Sequence, residues 1–101
     1  MNPQFRLTES ALREIQEIAA YLAKNYGFLQ SERFIKKLNS KFSKIVQFPN
    51  IGKPRDEILP GSRMLSVDRY LILYVVIGED IEILRVVSGY RDLSQLFTDE
   101  E

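Results

Sequence analysis

The chain of 101 residues contains no cysteine and no histidine. Without cysteine there are no disulfides and no thiolate metal sites. Without histidine the commonest metal ligand is missing, and so is the side chain that most readily moves protons near pH 7. Any chemistry therefore falls to carboxylates, lysine, arginine, tyrosine or serine. Long apolar runs are missing as well. The longest, Tyr70 to Ile77, is far shorter than the ~20 residues a membrane-spanning helix needs. The opening MNPQFRLTES carries no apolar signal core, so a cytoplasmic location is expected. There is no internal repeat, no low-complexity tract and no phosphate-loop glycine pattern, and no metal or organic cofactor is expected.

What is present is ordinary for a soluble globular chain: 45% hydrophobic and 28% charged residues. The length suits one domain, residues 1–101, with one modest core. Net charge is zero, but it is assembled from unlike parts. Residues 28–53 carry six basic side chains (Arg33, Lys36, Lys37, Lys41, Lys44, Lys53) against Glu32 alone, a net of +5. Residues 54–101 carry five arginines against ten acids, a net of −5. Such a basic stretch is either a solvated helix face or an attractive surface for an acidic partner or nucleic acid.

Apolar periodicity places the elements. Gln4 to Leu7 reads as a short strand. Thr8 is a good N-cap, and Glu9 follows in the first turn, where the helix dipole favours it. Leu12, Ile15, Ala19 and Leu22 then recur at helical spacing, predicting a helix over Glu9–Asn25 that stops at Gly27. A second helix is predicted over Ser31–Phe48, with the stripe Phe34, Ile35, Leu38, Phe42 and Ile45, and Pro49 ends it. The connection between the two is expected to be three to five residues. The stretch PNIGKPRDEILPGS reads as a surface loop. Three strands follow, over Arg63–Val67, Tyr70–Ile77 and Ile81–Ser88, with GED as the hairpin turn between the last two. The order predicts an α+β fold, a helical hairpin packed on a twisted antiparallel sheet of three to four strands.

Strand parity puts Tyr70, Ile72, Tyr74 and Val76 on one face of the middle strand and Leu71, Leu73, Val75 and Ile77 on the other. Both faces are apolar, so the face away from the helices needs a cover: the C-terminal residues Leu93, Leu96 and Phe97, a second copy, or a partner. In the last strand the same alternation puts Arg85 beside Ile81, Ile83 and Val87. A charge there needs a partner, with Asp68, Glu82 or Asp92 as the acids considered, or a water-facing groove. Arg91 and Asp92 suit a turn-fixing pair. A carboxylate or phosphate clamp made of strand arginines is the functional alternative.

The order FPNIGKPRDE, GSRMLSVDRYLILYVV and IEILRVVSGYRDLSQLF resembles the ParE branch of the RelE/ParE toxin superfamily, from type II toxin–antitoxin modules. The resemblance covers almost the whole chain. It rests on Pro49 and Gly52, on the run Arg69 to Tyr74, on Ile83 to Val86, and on Gly89 with Arg91, Asp92 and Leu93. It implies a toxin neutralised by a small ParD-like antitoxin whose C-terminal segment wraps it, forming a hetero-oligomer. ParE toxins poison DNA gyrase, whereas RelE toxins cut messenger RNA on the ribosome. RelE-type nucleases resemble one another in using strand lysines and arginines and a tyrosine near the C-terminus. Here Phe97 stands in place of that tyrosine, Leu71 in place of an arginine, and Arg63–Val67 holds no lysine. The resemblance therefore implies gyrase inhibition without catalytic residues. If the chain were a nuclease, Arg63, Arg85 and Arg91 would carry it. The partner-binding residues it points to are Arg63, Arg69, Tyr70, Tyr74, Arg85, Tyr90 and Arg91. A toxin-like binding module without activity is a third reading. No sequence-specific contact with nucleic acid and no contact with membrane is expected.

Overall fold

The computed structural model describes residues 4–89. The elements are β1 (Phe5–Leu7), α1 (Glu9–Tyr26), α2 (Phe28–Gln47), β2 (Lys53–Pro54), β3 (Ser62–Val67), β4 (Tyr70–Ile77) and β5 (Asp80–Ser88). No helix among them is long and apolar enough to cross a membrane.

Thr8 caps α1 as its position predicts, its hydroxyl accepting from the Ala11 amide at 3.0 Å. The predicted loop between the helices is absent. A single residue, Gly27, joins them with φ +98, a backbone region open to glycine at little cost. The reversal thus takes one residue, and Phe28, Leu29 and Gln30 become the first turn of α2. Ser31, Phe34, Leu38, Phe42 and Ile45 form the buried stripe of α2. Ser31 is polar, and its hydroxyl donates to the Ala19 carbonyl at 2.8 Å, which ties the two helices together.

The α+β layout holds, and the sheet is larger than the sequence predicts. It has five strands in the order β1-β5-β4-β3-β2. The three central strands form the expected antiparallel meander. β1 adds to the β5 edge in parallel, with Phe5 opposite Ile81 and Leu7 opposite Ile83. β2 adds two residues to the other edge. Both edge strands are very short, and one holds Pro54, which limits their value as templates for a further strand.

The helices cover one face. Phe34, Leu38, Phe42 and Ile45 pack with Ile72, Tyr74, Ile81, Ile83 and Val86, each large side chain adding about 1.5–3 kcal/mol on burial. On the opposite face Met64, Leu73 and Val87 are buried, with Ile58, Leu71 and Leu84 against them. Ile58 comes from the loop before β3, so that loop supplies part of the cover the apolar face demanded. Leu93, Leu96 and Phe97, the C-terminal cover considered above, lie outside the described residues.

Strand parity in β5 fails at one point. Leu73 pairs with Arg85 but Tyr74 pairs with Ile83, so Leu84 is an extra residue. This is a β-bulge, which shifts the alternation by one. Val86 therefore joins the helix-facing core, while Val87 turns to the other face. Strict period-2 reading assigned both the wrong way.

Candidate functional site

An open groove of about 740 Å³ lies where the tip of the helical hairpin meets the β3–β4 turn and the end of β5. Tyr21 and Tyr26 come from the end of α1, Arg33 and Lys37 from the start of α2, and Arg69 and Tyr70 from the turn and strand. The turn is two residues long, and Asp68 takes φ +54, a conformation Asp tolerates better than most side chains. It holds Asp68 against the Lys37 ammonium at 3.2 Å. Both members are substantially exposed, so the pair orients the turn more than it stabilises the fold.

The tyrosines form a graded set. Tyr26 and Tyr21 are 64% and 52% exposed and meet edge to face, ring centroids 6.3 Å apart. Tyr70 sits deeper, its ring 5.1 Å from that of Phe34. Burial pushes the Tyr70 phenol up from its ordinary pKa, the phenols of Tyr21 and Tyr26 push the same way, and Arg69 opposes them. The groove thus offers ring surfaces, a neutral phenol and a surplus of positive charge.

The other candidate residues lie elsewhere and are engaged. Arg85 on β5 pairs with Glu14 of α1, not with Asp68 or Glu82, and Asp92 lies outside the described residues. Glu14 Oε2 accepts from Arg85 Nε at 2.9 Å and from Nη2 at 2.5 Å, while Oε1 accepts from the Val86 amide at 2.9 Å. The acid comes from a helix 71 residues earlier, which explains why a search of sheet-side carboxylates misses it. β1 stops at Leu7, and beyond Ile83 the edge of β5 is completed by side chains instead. Thr8 donates to the Leu84 carbonyl at 2.7 Å, and Glu14 takes the Val86 amide.

Arg63 Nη1 donates to the Gly52 carbonyl at 2.7 Å and to that of Asn50 at 3.3 Å. Tyr74 is fully buried beside them. Its hydroxyl donates to the Pro49 carbonyl at 2.7 Å and accepts from the Gly52 amide at 2.9 Å. Both side chains fasten the loop after α2 to the sheet. Tyr90 and Arg91 lie outside the described residues. Of the seven partner-binding candidates, the groove brings together Arg69 and Tyr70 alone among those described. The sequence reading passed over Tyr21 and Tyr26; it named Arg33 and Lys37 as part of a basic helix that could attract an acidic partner or nucleic acid, without placing them in a groove with Arg69 and Tyr70. Tyr26 carried a usable signal: it continues the Leu22 side of the α1 stripe by one turn, past the end of the core.

Burial also raises the Tyr74 pKa, against opposing contributions from the Gly52 amide and Arg63. A free tyrosine titrates near pH ~10, and in the fold Tyr70 and Tyr74 both titrate higher. The stability this implies is fully present below pH ~10 and is lost as pH rises through the folded-state values. Urea midpoints are expected to stay level from the neutral range to about pH 10 and then fall. Tyr74→Phe is expected to lessen that alkaline fall. An identical alkaline slope in the variant would remove Tyr74 from the account.

This architecture can be compared with known proteins. Residues 5–93 match the family model described as the ParE toxin of the type II toxin–antitoxin system, parDE. The chain belongs to the ParE toxin family. Toxin ParE1 of Mycobacterium tuberculosis is 29% identical over 96 residues, 94% of this chain and 98% of that one. Toxin ParE3 of Caulobacter vibrioides is 28% identical over 81 residues, 80% of this chain and 81% of the relative. Among solved structures, the chromosomal ParDE system from P. aeruginosa superposes with TM-score 0.74 at 20% identity, covering 86% of this chain and 96% of that one. The intact E. coli RelBE toxin–antitoxin complex gives 0.60 at 20% identity, covering 88% and 99%. At that identity the structural likeness speaks for the fold, while the ParE family model and the ParE relatives speak for the toxin.

Proposed function

We propose that this ParE-family toxin inhibits DNA gyrase by binding it, and that a small cognate antitoxin neutralises it in the cytoplasm. The observation that carries the reading is the state of the strand arginines. A nuclease needs cations free to meet a developing phosphate charge and groups free to exchange a proton. Arg63 is bound to two loop carbonyls and Arg85 to Glu14. Toxicity by binding requires no such group. An antitoxin partner is supported by the resemblance to solved toxin–antitoxin systems. The apolar tip of the hairpin, where Phe28 is 68% and Leu29 66% exposed, suits a protein cover.

The test uses purified toxin, gyrase, ATP and supercoiled plasmid, scoring linear DNA after denaturation. Dose-dependent linear product that disappears on adding the cognate antitoxin is the expected result. No product with active gyrase and folded toxin would overturn the reading. Messenger cleavage in a translation assay would then assign the RelE-type activity, and harmless expression without a partner would assign an inert binding module.

A further inference from the structure

We infer that the cationic flank of α2, together with the groove it leads into, binds the sugar–phosphate backbone of a single-stranded nucleic acid, with bases resting on the tyrosines. The inference is independent of the gyrase reading and stands or falls separately from it.

Arg33, Lys37, Lys41 and Lys44 fall within an arc of about 80° on α2 and span about 16 Å along its axis. They run beside the buried stripe of Phe34, Leu38, Phe42 and Ile45. Arg33 and Lys37 line the groove, and Arg69 adds another cation at its far wall. The acid that pairs with this row is Asp68, on Lys37. Arg33 has a neutral neighbour, Gln30 Oε1, at 3.5 Å. Among the described residues Lys41 and Lys44 form no ion pair. The row thus carries an unneutralised surplus, although the whole chain has no net charge.

A line of cations recurring about once per helical turn matches a polyanion of regular spacing. At its end the line meets Tyr21 and Tyr26, half or more exposed, with Tyr70 behind them. Cations along a backbone track and aromatic rings for the bases are the two parts of a single-strand site. An acidic protein segment would answer the same charges, but the cations here follow a line rather than ring an apolar socket. A duplex would meet the charges and leave the rings unused, because its bases are stacked away.

The test is fluorescence anisotropy of the full chain with a labelled DNA strand of about 15 nucleotides, within the usual site sizes. An RNA strand of the same sequence, the matching duplex and poly-glutamate serve as competitors, and the two strands show which sugar is preferred. Affinity is expected to fall roughly 50-fold between about 50 and 200 mM salt, as four phosphate contacts to a single strand require. The variant Arg33→Gln/Lys41→Gln/Lys44→Gln is expected to flatten the log–log salt slope by about two. Tyr26→Ala is expected to weaken strand binding about fivefold or more, with the melt unchanged because the ring is exposed. No saturable binding at low salt would overturn the inference. So would an unaltered salt slope in the triple variant, or displacement by duplex or poly-glutamate as efficient as by the unlabelled strand.

Discussion

Glu14→Ala is expected to cost about 3 kcal/mol of folding stability, the lower end of the penalty for breaking a buried ion pair from one side, because this pair is part-buried. Against a total of about 5–15 kcal/mol for a native domain, such a loss is a substantial share of the stability. The Glu14 and Arg85 side chains are 15% and 14% exposed. One carboxylate accepts two hydrogen bonds from the guanidinium and a third from the Val86 amide. Truncation removes all three bonds, taking from Arg85 its carboxylate partner on α1 and from the Val86 amide its acceptor. Glu14→Gln keeps the shape and one acceptor but turns an amide donor toward Arg85, so its cost is expected to be smaller but clear.

Glu14→Leu/Arg85→Met tests the coupling. Apolar residues of similar volume often replace a buried pair with little loss. Here the Val86 amide would still lose its acceptor, at about 1–3 kcal/mol. The double variant is therefore expected to be more stable than the sum of the single losses allows, as measured by urea unfolding. Additive losses would show that the two side chains act independently. The same experiment bears on function. An Arg85 substitution that abolishes toxicity is expected to lower the melting temperature as well, so loss of toxicity there does not mark a catalytic residue.

The helices and the meander were legible because their signals are local. The Thr8 cap, the α2 stripe and the Tyr70–Ile77 run each lie within one element. The single-residue helix connection was not, because it depends on Gly27 adopting φ +98 rather than on any pattern in its neighbours. The first strand was read from the sequence, but not its parallel pairing with β5, which joins residues 76 positions apart, and the two residues of β2 have no periodicity to read. The bulge at Leu84 is a property of two strands in register, which a single strand's alternation does not contain. The Arg85 side chain was correctly singled out as a charge in need of a partner, but the partner lay on the helix hairpin. The groove escaped notice for a similar reason. Arg69 and Tyr70 were marked, but Tyr21, Arg33 and Lys37 meet them only when the hairpin is laid on the sheet.

Gly52→Ala is expected to destabilise by about 3 kcal/mol, the upper end of the usual cost of overpacking, because the site has no room to move. A Cβ at Gly52 would lie 2.7 Å from the Tyr74 hydroxyl, 2.8 Å from its Cε1 and 3.1 Å from the Met64 carbonyl. Two of these belong to a ring locked by its own hydrogen bonds, and the third is backbone of β3. Tyr74→Phe removes the hydrogen bonds without adding bulk. It strands the Gly52 amide and the Pro49 carbonyl, for an expected loss of about 2–3 kcal/mol. Combining the two separates clash from bond loss. Without the hydroxyl the 2.7 Å contact is gone, while the ring carbon at 2.8 Å remains. The double variant is expected to recover part of the loss that Gly52→Ala causes, and its cost to fall short of the sum. Hydrogen exchange locates the damage: amides of Gly52, Lys53 and Met64 are expected to lose protection first, since this loop positions β2 on the edge of β3. Uniform loss of protection across both helices would mean instead that the contact supports the whole core. Wild-type stability in Gly52→Ala would show that the loop can withdraw from Tyr74 and that the lock is idle.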